Sequence, residues 1–170
     1  ANQLGLKKAP VRQMLQDAFG MPVPVENDAV CALMAEYRYG ALKGCETGIL
    51  LTLGTGIGGG VIVRGEPLRG YQGLHGELGH MITHPDGHPC GCGQKGCWEQ
   101  YAAARALGIM AAPLTTKELV DRVRKGYKSD VWQQYIREVT VGIQSLIMIF
   151  MPEIIAIGGG LSNAGSIVVD

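Results

Sequence analysis

Thr47-Gly48-Ile49-Leu50-Leu51-Thr52-Leu53-Gly54-Thr55-Gly56-Ile57-Gly58-Gly59-Gly60-Val61-Ile62-Val63 places an apolar run and a β-branched run on either side of a glycine loop. Both flanks suit a pleated, buried surface, so the stretch reads strand, loop, strand. Gly54, Gly56 and Gly59 satisfy G-x-G-x-x-G. A dinucleotide fold, however, needs a helix after that loop to hold pyrophosphate on its N-terminus. A strand follows here, which sets that fold aside. The G-x-x-x-x-G-K-[ST] pattern is absent from the chain. Two readings of the loop remain. One is a tight hairpin with positive φ at several glycines. The other is a phosphate cradle, in which side-chain-free backbone brings N–H groups to anionic oxygens and Thr55 adds a hydroxyl. Five glycines in seven positions exceed what a hairpin needs and favour the cradle.

Upstream, Val11, Met14, Leu15, Ala18 and Phe19 fall at helical spacing, with Pro10 at the first helical position and Gly20 as a left-handed cap. Val23-Pro24-Val25 is extended, and Asn27 or Asp28 caps a helix to about Tyr39. Downstream of the second strand, residues 65–96 are glycine- and proline-rich, a long irregular region of the kind that has a functional or metal-based reason. Helices are predicted from about Trp98 to Met110, after the Thr115–Glu118 capping box, and from about Asp130 to Phe150. Pro152 ends the last of these. Ile154–Ile157 is a buried strand, Gly158-Gly159-Gly160 a turn, and Asn163 the start of one more helix.

The 170 residues carry 15 basic and 15 acidic side chains, and 46% are hydrophobic. Such a chain can build a core, and its zero net charge lacks the footprint of a dedicated nucleic-acid or membrane-surface binder. No apolar run reaches the length of a membrane span. The N-terminus lacks the layout of a signal peptide. An odd set of five cysteines, three of them within eight residues, suits a reducing compartment and a metal better than disulfides.

Those three are Cys90, Cys92 and Cys97, on a glycine-rich knuckle. With a histidine they complete a closed tetrahedral zinc set. His80 is the leading fourth ligand, with His84 and His88 also close in sequence. Cys-x-Cys is not the redox spacing. Cys31 and Cys45 read as ordinary thiols, and Trp132 and Tyr135 as core. Lys117, Arg122, Arg124 and Lys125 read as a solvated helix face.

Taken in order, Val25-Glu26-Asn27-Asp28-Ala29, Leu53 to Gly60, Gly76-Glu77-Leu78-Gly79-His80-Met81, Cys90 to Glu99 and Ile157-Gly158-Gly159-Gly160 closely resemble the ROK family of repressors, open reading frames and sugar kinases. The resemblance implies an α/β chain with the two-lobed, actin-like ATPase fold of the sugar kinase/Hsp70 (ribonuclease H-like) superfamily, carrying a zinc-knuckle insertion. It implies transfer of the γ-phosphate of ATP, with Mg²⁺, to a hexose hydroxyl. Asp28 matches the catalytic base. Asn27, Glu77, His80 and Glu99 match the sugar site. Gly54, Thr55, Gly56, Gly58 and Gly59 match the phosphate segment, and Gly158, Gly159 and Gly160 the adenosine-side turn. His80 would serve twice, one ring nitrogen on structural zinc with Cys90, Cys92 and Cys97, the other toward sugar.

The resemblance also implies incompleteness. The family's Asp-x-Gly-Gly-Thr hairpin is not present, and Asp28 lies unusually near the start. Residues 1–44 would then close the N-terminal lobe, and 45–170 would form most of the C-terminal lobe. On that reading the isolated chain has no kinase activity and tends to associate. Ala103-Ala104 stand where the family often has Ser-Gly, so no role is given to them. Cys-Trp-Glu-Gln-Tyr at 97–101 looks glucokinase-like. The expected protein is a cytoplasmic, homodimeric glucokinase with no membrane partner. The alternative is a sugar-sensing repressor whose helix-turn-helix lies outside this chain, the one case with a nucleic-acid partner. A purely structural zinc-knuckle protein would leave Asp28, Glu77 and the glycine loop without a purpose.

Overall fold

The computed structural model describes residues 9–71 and 76–168. Strands β1 (Thr47–Leu53) and β2 (Ile57–Val63) pair antiparallel across the glycine turn, Thr47 opposite Val63 and Leu53 opposite Ile57. The short β3 (Glu66–Pro67) extends the outer edge of β2, and β4 (Ile154–Gly158) runs parallel to β1 on its other edge. The sheet order is therefore β3-β2-β1-β4. A parallel neighbour requires a crossover, and the chain between β2 and β4 supplies it as an irregular segment followed by helices.

Alternation along β1 divides the core. Ile49, Leu51 and Leu53 join Ile57, Val61, Trp98, Leu107, Tyr135 and Leu146 in the larger cluster. Leu50 joins Ile62, Leu42, Cys45 and Leu33 on the opposite face. Leu33 comes from α2 (Asp28–Tyr39), which follows α1 (Val11–Phe19). No residue of α1 is buried, and Val11, Met14 and Phe19 face outward. Gly20 takes the predicted left-handed cap, but Pro10 sits one position before the helix instead of within it.

None of Gly54, Gly56, Gly58, Gly59 and Gly60 adopts a left-handed φ, so the hairpin's conformational demand does not account for them. Two serve helix packing. A Cβ on Gly60 would lie 2.8 Å from Leu33 Cδ2, and one on Gly58 would lie 3.3 Å from the Ala29 methyl and 2.7 Å from Thr52 Oγ1. Without those side chains α2 settles onto the sheet and carries Asp28 to the glycine turn.

The helix predicted from Trp98 to Met110 is two, α3 (Glu99–Ala102) and α4 (Ala104–Ala111), broken where Ala103 turns extended. The Tyr135 hydroxyl donates to the Ala102 carbonyl at 2.8 Å, which satisfies an acceptor at the break. α5 (Thr116–Arg124) has both bonds of the predicted capping box. α6 (Asp130–Phe150) buries Trp132 and Tyr135 as expected. Beyond β4 the predicted helix from Asn163 is instead 3₁₀ turns over Gly160–Val168, kinked at Gly165, where φ is 74°. No helix among the described residues is long and apolar enough to cross a membrane.

α6 closes on α3 through Gly142. A Cβ there would fall 2.0 Å from the Trp98 ring. Trp98 is fully buried, and its Nε1 donates to the Glu138 carbonyl at 2.8 Å, so the indole cannot retreat without losing that bond. Gly142→Ala is expected to destabilise the protein by about 1–3 kcal/mol despite alanine's better helix propensity. The measurement is a lowered urea midpoint at unchanged m-value.

Candidate functional site

One cleft of about 580 Å³ opens where the N-terminus of α2, the β1–β2 turn, the 3₁₀ turn Leu78–His80, the start of α3 and the end of β4 converge. It is lined by Asp28, Gly54, Thr55, Gly56, Gly58, Glu77, His80, Glu99 and Gly159. The first and last of these residues, 28 and 159, are 131 apart in sequence. Asn27 is the N-cap of α2. Its Oδ1 accepts from the Ala29 and Val30 amides at 2.9 and 3.2 Å, leaving its amino group for other partners. Asn27 and Gly59 line a smaller adjoining pocket of about 110 Å³ with Asp28 and Glu77. Asp28 is the first helical residue, and its Oδ1 accepts from the Ala29 amide at 2.9 Å. That contact orients the carboxylate at the positive end of the helix.

Gly159 has φ 85°, and a Cβ on it would strike the Leu53 backbone at 2.7 Å. This turn stands between two pockets. Gly159 lines the cleft, whereas Gly160 lines a second pocket of about 380 Å³ with Thr116, Lys117, Asp121, Arg124 and Asn163. Gly158 lies within β4 and lines neither of them. Arg124 is exposed on the expected basic face, and it also has partners there. It donates to the carbonyls of Ala164 and Asn163 and ties α5 to the terminal 3₁₀ turns. The spacing of Lys117, Asp121 and Arg124 (i, i+4, i+7) held the signal for this second pocket. A larger cavity, about 650 Å³, lies between α6 and β4 behind mainly apolar side chains and contains none of the predicted site residues.

At the knuckle the ligand atoms of His80, Cys90, Cys92 and Cys97 all lie within 4.8 Å of one another. Cys90 Sγ is 3.6 Å from His80 Nδ1, and Cys92 Sγ is 3.6 Å from Cys97 Sγ. Tetrahedral zinc would set such separations at about 3.6 Å for N···S and about 3.8 Å for S···S, so the donor set fits. His84 and His88 go elsewhere. Their rings stack on Tyr101 with centroids 3.8 and 5.0 Å away, and His84 Nε2 lies 3.3 Å from Glu138 Oε2. Burial, then the neighbouring thiols Cys92 and Cys90, push the Cys97 thiol up to about 12. The Gln94 backbone amide holds the Cys92 thiol below its ordinary value.

Glu99 joins the knuckle to the glycine turn. Its Oε1 lies 3.2 Å from Cys90 Sγ and 3.8 Å from His80 Nδ1. Its Oε2 lies 2.5 Å from where a Gly56 Cβ would stand, so the missing side chain makes room for the carboxylate.

The sequence profile of the ROK family matches residues 1–170. The glucokinase of Streptomyces coelicolor is 35% identical over 194 aligned positions, covering 100% of this chain and 61% of the relative. The Bacillus subtilis xylose repressor is 29% identical, covering 94% of this chain and 43% of the relative. A ROK family glucokinase from Streptomyces griseus, solved with glucose and AMPPNP, superposes with a TM-score of 0.86 at 36% identity, over 95% of this chain and 59% of that one. The chain thus spans about 60% of the length of the glucokinases it matches.

Proposed function

This chain belongs to the ROK family, and on that premise we propose that its cleft is the hexose and γ-phosphate site of an ATP-dependent glucokinase. It has the actin-like ATPase fold of the sugar kinases. The observation that carries the reading is the convergence of Asp28, the turn at 54–56, Glu77, His80 and Glu99 on one cleft. Glu77, Glu99 and the Asn27 amide suit a sugar because they accept from and donate to neighbouring hydroxyls. Asp28 accepts the proton of the attacking hydroxyl as its oxygen bonds the γ-phosphorus, and ADP leaves with the bridging oxygen. Among the described residues, no lysine or arginine lines the cleft. Three carboxylates here would repel a triphosphate, and bound Mg²⁺ would supply compensating charge. The pocket at Gly160, with Lys117, Asp121 and Arg124, takes the adenosine, and Gly159 lets the phosphates pass between the two.

Zinc on His80, Cys90, Cys92 and Cys97 is structural in this reading. His80 would present Nδ1, the nitrogen nearer Cys90, to the ion, which would fix the ring and leave Nε2 for the sugar. Residues 1–44 close the N-terminal lobe and 45–170 make most of the C-terminal lobe, with α2 resting on the latter's sheet. The whole protein is a cytoplasmic homodimer.

The test is phosphoryl transfer from ATP to a panel of hexoses by the whole protein. Turnover on glucose is expected. Sugar binding without turnover on any hexose would instead favour the second reading, a sugar-sensing repressor, which the similarity to the xylose repressor keeps in view.

A further inference from the structure

Cys90 and Glu99 pose an electrostatic problem. With metal bound Cys90 is a thiolate, and Glu99 Oε1 lies 3.2 Å from its sulfur. Both are withdrawn from water, Cys90 at 9% and the Glu99 side chain at 19% exposure. A thiol could donate to that carboxylate, but a metal-bound thiolate has no proton to give. Two such acceptors repel unless a donor lies between them.

Gln100 supplies that donor. Its Nε2 lies 3.4 Å from Cys90 Sγ and 3.2 Å from Glu99 Oε1. The orientation of its amide is settled by a third partner, because Arg105 Nη2 donates to Gln100 Oε1 at 2.7 Å. A guanidinium only donates, so the oxygen must face Arg105 and the NH₂ must face the sulfur. We infer that Gln100 is a positioning residue, its NH₂ bridging the Cys90 thiolate and the Glu99 carboxylate under the anchor of Arg105. The bridge keeps Glu99 turned into the cleft beside Gly56 while metal is bound. This role rests on the metal and sugar reading above.

The test uses the whole protein with Co²⁺ in place of zinc, as wild type, Gln100→Leu and Gln100→Glu. The glutamate variant keeps the volume and a partner for Arg105 but offers the sulfur only an oxygen. An N–H donor lowers the energy of the sulfur lone pair, so losing it is expected to move the thiolate-to-cobalt charge-transfer band to longer wavelength in both variants. Glucose affinity, read by calorimetric titration, should fall about tenfold in Gln100→Leu and further in Gln100→Glu. A band unmoved in both variants, or glucose affinity unchanged in both, overturns the role of Gln100 and leaves the metal reading standing. A wild type with no thiolate–cobalt band overturns the metal reading, and this role with it.

Discussion

Asp28→Asn in the whole protein should lower kcat by about 10³, within the range for loss of a general base, while hexose affinity changes by less than about threefold. The substitution is nearly isosteric. The asparagine Oδ1 can still accept from the Ala29 amide, which Asp28 does at 2.9 Å, so the start of α2 is kept. What it removes is a site of useful basicity. The attacking hydroxyl then keeps its proton as the O–P bond forms, and positive charge builds on the nucleophile. Binding should survive because, on the proposed reading, Asn27, Glu77, His80 and Glu99 supply the remaining sugar contacts. The check is steady-state kinetics alongside a direct sugar titration, which separates kcat from affinity. Turnover within a few-fold of wild type would remove Asp28 from the base role and turn the reading of this cleft toward sensing.

Much of this arrangement was legible locally. The strand-loop-strand at 47–63, the Asn27 cap, the Thr115–Glu118 capping box and the Gly20 terminator follow from residues within a few positions of one another. The three thiols announce themselves by spacing with His80 as the leading fourth ligand, and the geometry selects His80 over His84 and His88. What could not be read depends on partners distant in sequence. The break at Ala103 is tied to the Tyr135 hydroxyl, 33 residues from the carbonyl it meets. That Gly58 and Gly60 also make room for α2 shows only once the helix is laid across them. Gln100 looks like a surface amide until Arg105 and Cys90 fix both of its ends.

The second large effect concerns the metal. Stripping it, or making Cys97→Ala, is expected to weaken hexose binding by at least about tenfold to a hundredfold and to lower the melting temperature. Residues 82–97 have little apolar core of their own. Short turns, the bridges Ile82 with Cys97 and Pro89 with Lys95, and the packing of His84 and His88 on Tyr101 hold them locally, but the only apolar side chains buried in this stretch are the ligands Cys90 and Cys97 themselves. His80 and Glu99 both touch Cys90, so loss of the knuckle frees two walls of the cleft at once. The pH dependence has a fixed sign. With metal absent the Cys97 thiol is pushed up to about 12. Metal uptake at neutral pH must therefore displace a proton there, and apparent metal affinity must fall as pH falls. Proton release on metal addition, measured in a weakly buffered dye solution, checks that step. Metal content by atomic emission, set against glucose affinity across a chelator series, checks the first. Cys31→Ser, at an exposed thiol outside the cluster, serves as the control and should change neither. A metal-free protein that keeps both its glucose affinity and its melting temperature would show that the knuckle folds without an ion, and would detach the metal from the sugar site.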